Sequence, residues 1–174
     1  MTGDDIKEIV MDEIKKILVA VGFPEYAEGI FDYSEKLAKK LGAELVVANI
    51  INSRDVEALT TIAKMGYDLD PESYIEELKE ERRYAFEETV KNASLSREST
   101  RLVLQVGNPL DELLKIIVAE KVDLVVMGVK GRTDLEHIFI GSVAEKLFRR
   151  SPVTILSYRD EKSRQRLKKR IRLS

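Results

Sequence analysis

Residues 123–156 read DLVVMGVKGRTDLEHIFIGSVAEKLFRRSPVTIL, and this stretch contains the pattern that decides the fold. Residues 123–127 and 152–156 are short runs rich in Val, Ile and Leu, which are typical of buried strands. Between them lie a loop that ends at Gly141 and a helical segment that runs from about Ser142 to Arg150. The order strand, helix, strand predicts a crossover connection within a parallel sheet.

The same alternation continues toward the amino terminus. Further apolar runs predict strands over residues 16–21, 44–50 and 101–106. Helices are predicted over residues 26–41 and from Asp70-Pro71 and Asn108-Pro109 onward, where Asp or Asn can cap a helix and Pro fits its first turn. Residues 52–70 form the least regular segment. We therefore predict the fold class α/β, with a doubly wound, open, parallel five-stranded sheet in a Rossmann-like sandwich.

Apolar residues at helical spacing predict which side of each helix packs on the sheet. The first helix is expected to turn Ile30, Leu37 and Leu41 inward and to stop at Gly42. The inner faces predicted for the next two helices are Leu78, Ala85, Phe86 and Thr89, and then Leu110, Leu113, Leu114, Ile117 and Val118.

Composition limits the classes of function. The 174 residues suit one domain, and 44% of them are hydrophobic, with no run long enough to cross a bilayer. The chain has no cysteine and one histidine, His137, which excludes disulfides, thiolate catalysis and histidine-rich metal sites. The acidic start lacks the features of a secretory signal, so we expect a cytoplasmic protein. The net charge of -2 predicts no general attraction to nucleic acid.

Charge divides the chain into three parts. Residues 1–14 are an acidic extension, residues 15–158 are the folded domain, and residues 159–174 are a strongly basic tail. The tail is interpreted as a solvated helix or a disordered end, with binding of RNA or an acidic partner as the alternative. Because the two ends carry opposite charge, and Ile6, Ile9 and Val10 can form an apolar stripe, the ends are also candidates to dock on each other.

Two loops form the candidate binding site. Ligands of such sheets bind beyond the carboxyl ends of the strands, where the winding direction reverses, which points to residues 21–28 and 128–141. The second loop holds two glycines after a strand, two cationic side chains and a glycine-serine pair at a helix start, namely Gly128, Gly131, Lys130, Arg132 and Gly141-Ser142. Glycines let backbone N–H groups approach an anion, and a helix start adds donors and a favourable dipole. The pattern therefore predicts an anion site.

The spacing of Gly128, two residues, Gly131, nine residues and Gly141-Ser142 resembles the nucleotide-binding motif of ATP-binding universal stress proteins. The resemblance continues through KKILVAV, GNPLDELLK, DLVVMGVKGR and GSVAEKLFRRSPVTIL. It implies a regulatory or stress-response protein that binds ATP, with AMP or ADP as alternatives and Mg left open, and that hydrolyses it slowly or not at all. The nucleotide-binding residues implied in this way are Val21, Gly22, Phe23, Gly128, Lys130, Gly131, Arg132, Gly141, Ser142 and Val143.

Two further expectations follow from this resemblance. Family members pair their last core strand antiparallel across a twofold axis, and here the strand from Val153 to Ser157 is expected at a sheet edge, so we expect a homodimer. Gly22 stands where the family commonly carries an Asp that helps to hold the nucleoside. This departure keeps open an alternative function, that of a ligand-free dimeric interaction protein.

Structural explanations compete with the binding site at several positions. Ser142 and Glu145 form the S-x-x-E pattern of a capping box, Gly128 and Gly131 suit a simple turn, and a lone His137 suits packing or the surface.

An enzyme is the remaining class of function. The Walker sequence, HExxH and the Ser-Gly-Gly signature of pyrophosphatase-type ligases are missing, and sequence does not distinguish catalytic carboxylates from a charged surface.

Overall fold

A parallel β-sheet forms the centre of the fold. The computed structural model describes residues 13–22, 27–68, 70–91, 99–128 and 141–171. In chain order the elements are β1 (Lys16–Ala20), α1 (Ala27–Leu41), β2 (Glu44–Asn52), α2 (Ser53–Lys64), α3 (Pro71–Lys91), β3 (Thr100–Gly107), α4 (Pro109–Ala119), β4 (Leu124–Gly128), α5 (Ser142–Arg150), β5 (Thr154–Tyr158) and α6 (Glu161–Lys168).

The strands are ordered β3-β2-β1-β4-β5, and every neighbouring pair is parallel. The chain winds outward from β1 through β2 to β3, crosses back to β4 on the other side of β1, and continues to β5. The winding direction therefore reverses between β1 and β4, where Ala20 pairs with Met127. The predicted doubly wound five-stranded sheet is confirmed, and β5 lies at an edge of it as expected.

Alternate strand residues pack on opposite faces of the sheet. One face, represented by Leu18 and Val125, packs with buried residues of α4 and α5. The other face, represented by Ile17 and Val126, packs with buried residues of α1 and with Val90 of α3. Because helices cover both faces, the strands are apolar almost without alternation.

Helix ends follow the signals in the sequence. Gly42 follows α1 with φ +65°, the left-handed conformation that glycine adopts without strain. The Asn108 side chain accepts a hydrogen bond from the Leu110 N–H at 3.0 Å, with Pro109 in the first turn of α4. The Asp70 carboxylate accepts one from the Glu72 N–H at 3.1 Å. The predicted starts of α3 and α4 are therefore confirmed.

The segment predicted to be least regular contains a helix, so that prediction is wrong. Helix α2 begins at Ser53, directly after β2, and the Asn52 side chain caps it by accepting from the Arg54 N–H at 3.1 Å. No residue of α2 is buried. Its half-buried residues include Val56, Leu59 and Ala63, which have helical spacing, so a signal for this helix was present in the sequence.

Some residues predicted on inner helix faces lie elsewhere. Leu41, the last residue of α1, is 44% exposed, and Val118, near the end of α4, is 69% exposed. The buried stripe of α4 contains Ile116 instead, because it is centred one residue away from the predicted one. In α3 the predicted residues are half-buried, and Val90 is the buried one. Helical period alone did not fix the phase of the buried stripe, since Ile116 and Ile117 are buried next to the exposed Val118.

The described part of the basic tail contains the helix α6, where the sequence allowed either a helix or disorder. The Asp160 carboxylate accepts a hydrogen bond from the Ser163 N–H at 2.6 Å and so caps α6, and Ser163 is buried. Residues 1–12, the proposed docking partner of the tail, lie outside the described residues. Among the described helices, none has both the length and the apolar composition needed to cross a bilayer.

Candidate functional site

The carboxyl ends of β1 and β4 meet where the winding reverses. Val21 and Gly22 directly follow β1, and Gly128 is the last residue of the neighbouring β4. The Val21 N–H donates to the Ala48 carbonyl at 2.9 Å, which attaches the chain to β2 for one residue beyond β1. The sheet thus brings together three residues of the predicted site.

Neither glycine at this edge is required by packing. Among the described residues, nothing lies within 4 Å of a Cβ atom built on Gly22 or on Gly128, and neither residue has a positive φ. Gly22 is also exposed. The edge therefore has open space beside both residues, and a side chain at position 22 can be accommodated without strain.

A buried asparagine that the sequence analysis missed holds this edge. Asn49 of β2 is 7% exposed, and its side-chain N–H group donates to the Val21 carbonyl at 2.9 Å. Its side-chain oxygen accepts a hydrogen bond from the Arg82 guanidinium of α3. Both ends of the amide are satisfied, as burial requires. The signal was a single amide in the apolar run ELVVANI.

Helix α5 begins at the Gly141-Ser142 pair of the predicted motif. Gly141 is the N-cap residue, with φ −52° and ψ 138°, and as a glycine it has no side chain with which to cap the helix. The predicted capping box of Ser142 and Glu145 is wrong, because Ser142 is already the first helical residue and a capping hydroxyl must precede the helix. The first intrahelical bond joins the Glu145 N–H to the Gly141 carbonyl at 2.9 Å. The N–H groups of residues 142–144 therefore have no intrahelical partner.

A cleft of about 420 Å³ adjoins this helix start. It lies between the starts of α2, α4 and α5, close to the carboxyl ends of β2 and β3. Its walls include Asn52 and Arg54 beside α2, Asn108 and Asp111 beside α4, and Ser142, Val143, Lys146 and Arg150 of α5. Two residues of the predicted site, Ser142 and Val143, thus form one side of a cleft that the sequence did not reveal.

Part of the predicted site lies outside the described residues, namely Phe23, Lys130, Gly131 and Arg132, and so does His137. Within the described ranges, no three His, Cys, Asp or Glu side chains are grouped so that they could hold a metal ion. The described part of the site consists of strand ends, an uncapped helix start and the adjoining cleft.

Comparison of the sequence with known families gives one clear match. The model of the universal stress protein family matches residues 13–159. A protein of Staphylococcus haemolyticus (strain JCSC1435) that is named for this family is 30% identical over 148 residues, which cover 84% of this chain and 86% of the relative.

Solved structures show the same fold. The hypothetical protein MJ0577 superimposes with a TM-score of 0.66 at 25% identity, over 86% of this chain and 99% of its own. A universal stress protein in complex with cAMP superimposes with a TM-score of 0.54 at 19% identity, over 84% of this chain and 97% of its own, a likeness of fold alone. From the match over residues 13–159 and the relative that is 30% identical, this chain belongs to the universal stress protein family.

Proposed function

We propose that this protein binds ATP or a related adenine nucleotide in a regulatory or stress-response role, with slow or no hydrolysis. The phosphates would lie at the start of α5 and the nucleoside near the ends of β1 and β4. The observation that carries the proposal is the start of α5: it begins at a glycine, without a capping side chain, beside the point where the winding of the sheet reverses.

The start of α5 has the donors that an anion needs. Three backbone N–H groups of its first turn have no intrahelical partner, and the helix dipole favours negative charge at the same place. The hydroxyl-bearing Ser142 is exposed and stands at the first helical position. A phosphate oxygen at this position would satisfy donors that no side chain of the helix satisfies.

Space for a nucleoside supports the second half of the proposal. Within the described ranges, no atom lies close to the position of a Cβ atom at Gly22 or at Gly128, which leaves space beside the ends of β1 and β4. Asn49 links β2 to that edge through its hydrogen bond to the Val21 carbonyl. One structure with the same fold, that of a universal stress protein in complex with cAMP, contains an adenine nucleotide.

The described groups at this edge are suited to holding a nucleotide rather than to breaking it down. They are backbone N–H groups and the Ser142 hydroxyl, and neither is a general base of the usual carboxylate or imidazole type. Binding without rapid turnover suits a regulatory role, because the protein then reports the nucleotide concentration.

Calorimetric titration with ATP, with and without Mg, tests the proposal. The wild type is expected to bind, and Gly141→Val is expected to bind at least about tenfold more weakly, because its side chain occupies space beside the free N–H groups. The backbone of Gly141 suits any L-residue, so the variant should fold, with a cost of about 1 kcal/mol at most for valine at an N-cap. Absence of ATP binding by the wild type at millimolar nucleotide would leave the ligand-free interaction protein as the function.

We also propose that the protein acts as a cytoplasmic homodimer. The contact would run along the strand from Val153 to Ser157, which overlaps β5 (Thr154–Tyr158). In the described part of the chain β5 pairs only with β4, so one of its edges has no partner strand among those residues. An exposed edge strand with free backbone groups favours pairing with a second copy.

A further inference from the structure

We infer that the cleft between the starts of α2, α4 and α5 binds a phosphate group beyond those at the α5 start, so that the ligand is a nucleoside di- or triphosphate rather than a monophosphate. That the ligand is a nucleotide rests on the proposed function. That the cleft binds an anion rests on the charges of its own side chains.

The cleft is lined by more positive than negative charge. Three cationic side chains, those of Arg54, Lys146 and Arg150, line it together with one carboxylate, that of Asp111. The side chains of the cleft therefore carry a net charge of +2 at neutral pH. Cations that converge on one cleft repel one another, and a bound anion removes this repulsion.

The carboxylate in the cleft neutralises one cation only in part. Asp111 and the Arg150 guanidinium are 3.9 Å apart, the outer limit of an ion pair, and both side chains are more than half exposed. Within the described residues, neither Arg54 nor Lys146 forms an ion pair. A ligand that binds these two cations therefore breaks no ion pair among the described residues.

The donors for this phosphate come from side chains rather than from helix ends. At the start of α2 the Asn52 side chain already accepts from the Arg54 N–H, and at the start of α4 the Asn108 side chain accepts from the Leu110 N–H. The cationic contacts in the cleft are the guanidinium and ammonium groups, which form charge-assisted bonds with phosphate oxygens.

The position of the cleft decides which ligand it suits. Ser142 and Val143 belong both to the α5 start and to the wall of the cleft, so the two anion sites are contiguous. Lys146 lies one helical turn beyond Ser142 on the same helix, and Arg150 a further turn away. A chain of phosphates that begins at the α5 start can continue into the cleft, whereas a single phosphate fills the α5 start alone.

Binding of ATP, AMP and inorganic pyrophosphate to the full chain tests the inference. The variants are the double substitution Arg54→Gln and Lys146→Gln, and, as the matched control, Arg149→Gln. Arg149 is on α5 as well, is exposed, and pairs with Glu145 instead of lining the cleft. Circular dichroism should be unchanged in both variants, because the side chains replaced are exposed.

We expect the double substitution to weaken the binding of ATP and of pyrophosphate at least about tenfold, with each lost cation contributing about threefold to tenfold. The binding of AMP should weaken by less than about twofold. The control should retain all three affinities. Unchanged ATP and pyrophosphate binding in the double variant would refute the inference and leave the nucleotide proposal intact. Equal weakening by the control would also refute it, because only general electrostatic attraction would then be at work.

Failure of the nucleotide proposal would look different. If ATP does not bind but pyrophosphate binds the wild type and not the double variant, the cleft is an anion site whose ligand is a free phosphate compound. If neither ATP nor pyrophosphate binds the wild type, both proposals are wrong.

Discussion

Replacing Asn49 with alanine is expected to destabilise the protein and to loosen the edge at which we place the nucleoside. The Asn49 amide joins three elements: it lies on β2, donates to the Val21 carbonyl after β1, and accepts from Arg82 of α3. Alanine removes both hydrogen bonds and leaves the side chain's space empty at a position that is 7% exposed.

The size of the effect follows from these two bonds. A hydrogen bond contributes about 0.5–1.5 kcal/mol to stability, and a buried group left without a partner costs about 1–3 kcal/mol. Arg82 has a further interaction and Val21 is only half-buried, so neither group becomes an isolated buried one. We therefore expect a loss of about 2 kcal/mol in the free energy of unfolding, which lowers Tm by about 4–8 °C for a chain of this length.

Thermal and urea unfolding, followed by circular dichroism, measure the free energy of unfolding. The variant Asn49→Asp distinguishes the contribution of the bond to Val21 from that of the bond to Arg82. At neutral pH an aspartate cannot donate to the Val21 carbonyl, although it can accept from Arg82. If the bond to Val21 holds the edge, Asn49→Asp is destabilising as well. A wild-type Tm for Asn49→Ala, or an increase in stability for Asn49→Asp, would refute the role of this amide as the link between β1 and β2.

Three other substitutions test the proposed site and the dimer. Gly22→Asp should add a hydrogen bond to the nucleoside, about 0.5–1.5 kcal/mol, and so tighten ATP binding about twofold to twelvefold by calorimetry. Gly22→Ala, the matched control, should not tighten it, and equal ATP affinity of both variants would show that position 22 does not face the nucleoside. Ser142→Ala should weaken ATP binding while changing the free energy of unfolding by less than about 0.5 kcal/mol, because Ser142 is exposed and does not cap α5. A loss of about 1 kcal/mol in the free energy of unfolding with unchanged ATP affinity would show that the hydroxyl caps the helix. Ile155→Pro should shift sedimentation at micromolar concentration from dimer to monomer, because proline removes a backbone donor and bends β5; a monomeric wild type would contradict the dimer itself.

The sequence was informative wherever a signal is local. Buried strands appear as apolar runs, and the helix boundaries at Gly42 and at Asn108-Pro109 depend on residues a few positions apart. The fold and the order of its elements could therefore be predicted. Helix α2 was missed although it carries local signals, namely the cap at Asn52 and the helical spacing of Val56, Leu59 and Ala63.

The candidate site could be predicted only in part. The spacing of glycines and Ser142 pointed to the α5 start. The pattern S-x-x-E suggested that Ser142 is the N-cap residue, but the N-cap residue is Gly141 and Ser142 is the first residue of the helix. Asn49 gave a faint signal, because an amide inside an apolar strand must find partners, yet the identity of those partners depends on β1 and α3.

The sequence by itself determined the α/β class, the parallel sheet and the family, because hydrophobic periodicity and motif spacing act over short distances along the chain. Only the tertiary structure decided that Arg54, Asp111 and Lys146 line one cleft, although they are far apart in sequence. All the strands of the sheet are parallel, so the helices that follow β2, β3 and β4 begin at the same edge. The charge of the cleft follows from that convergence, which no local pattern contains.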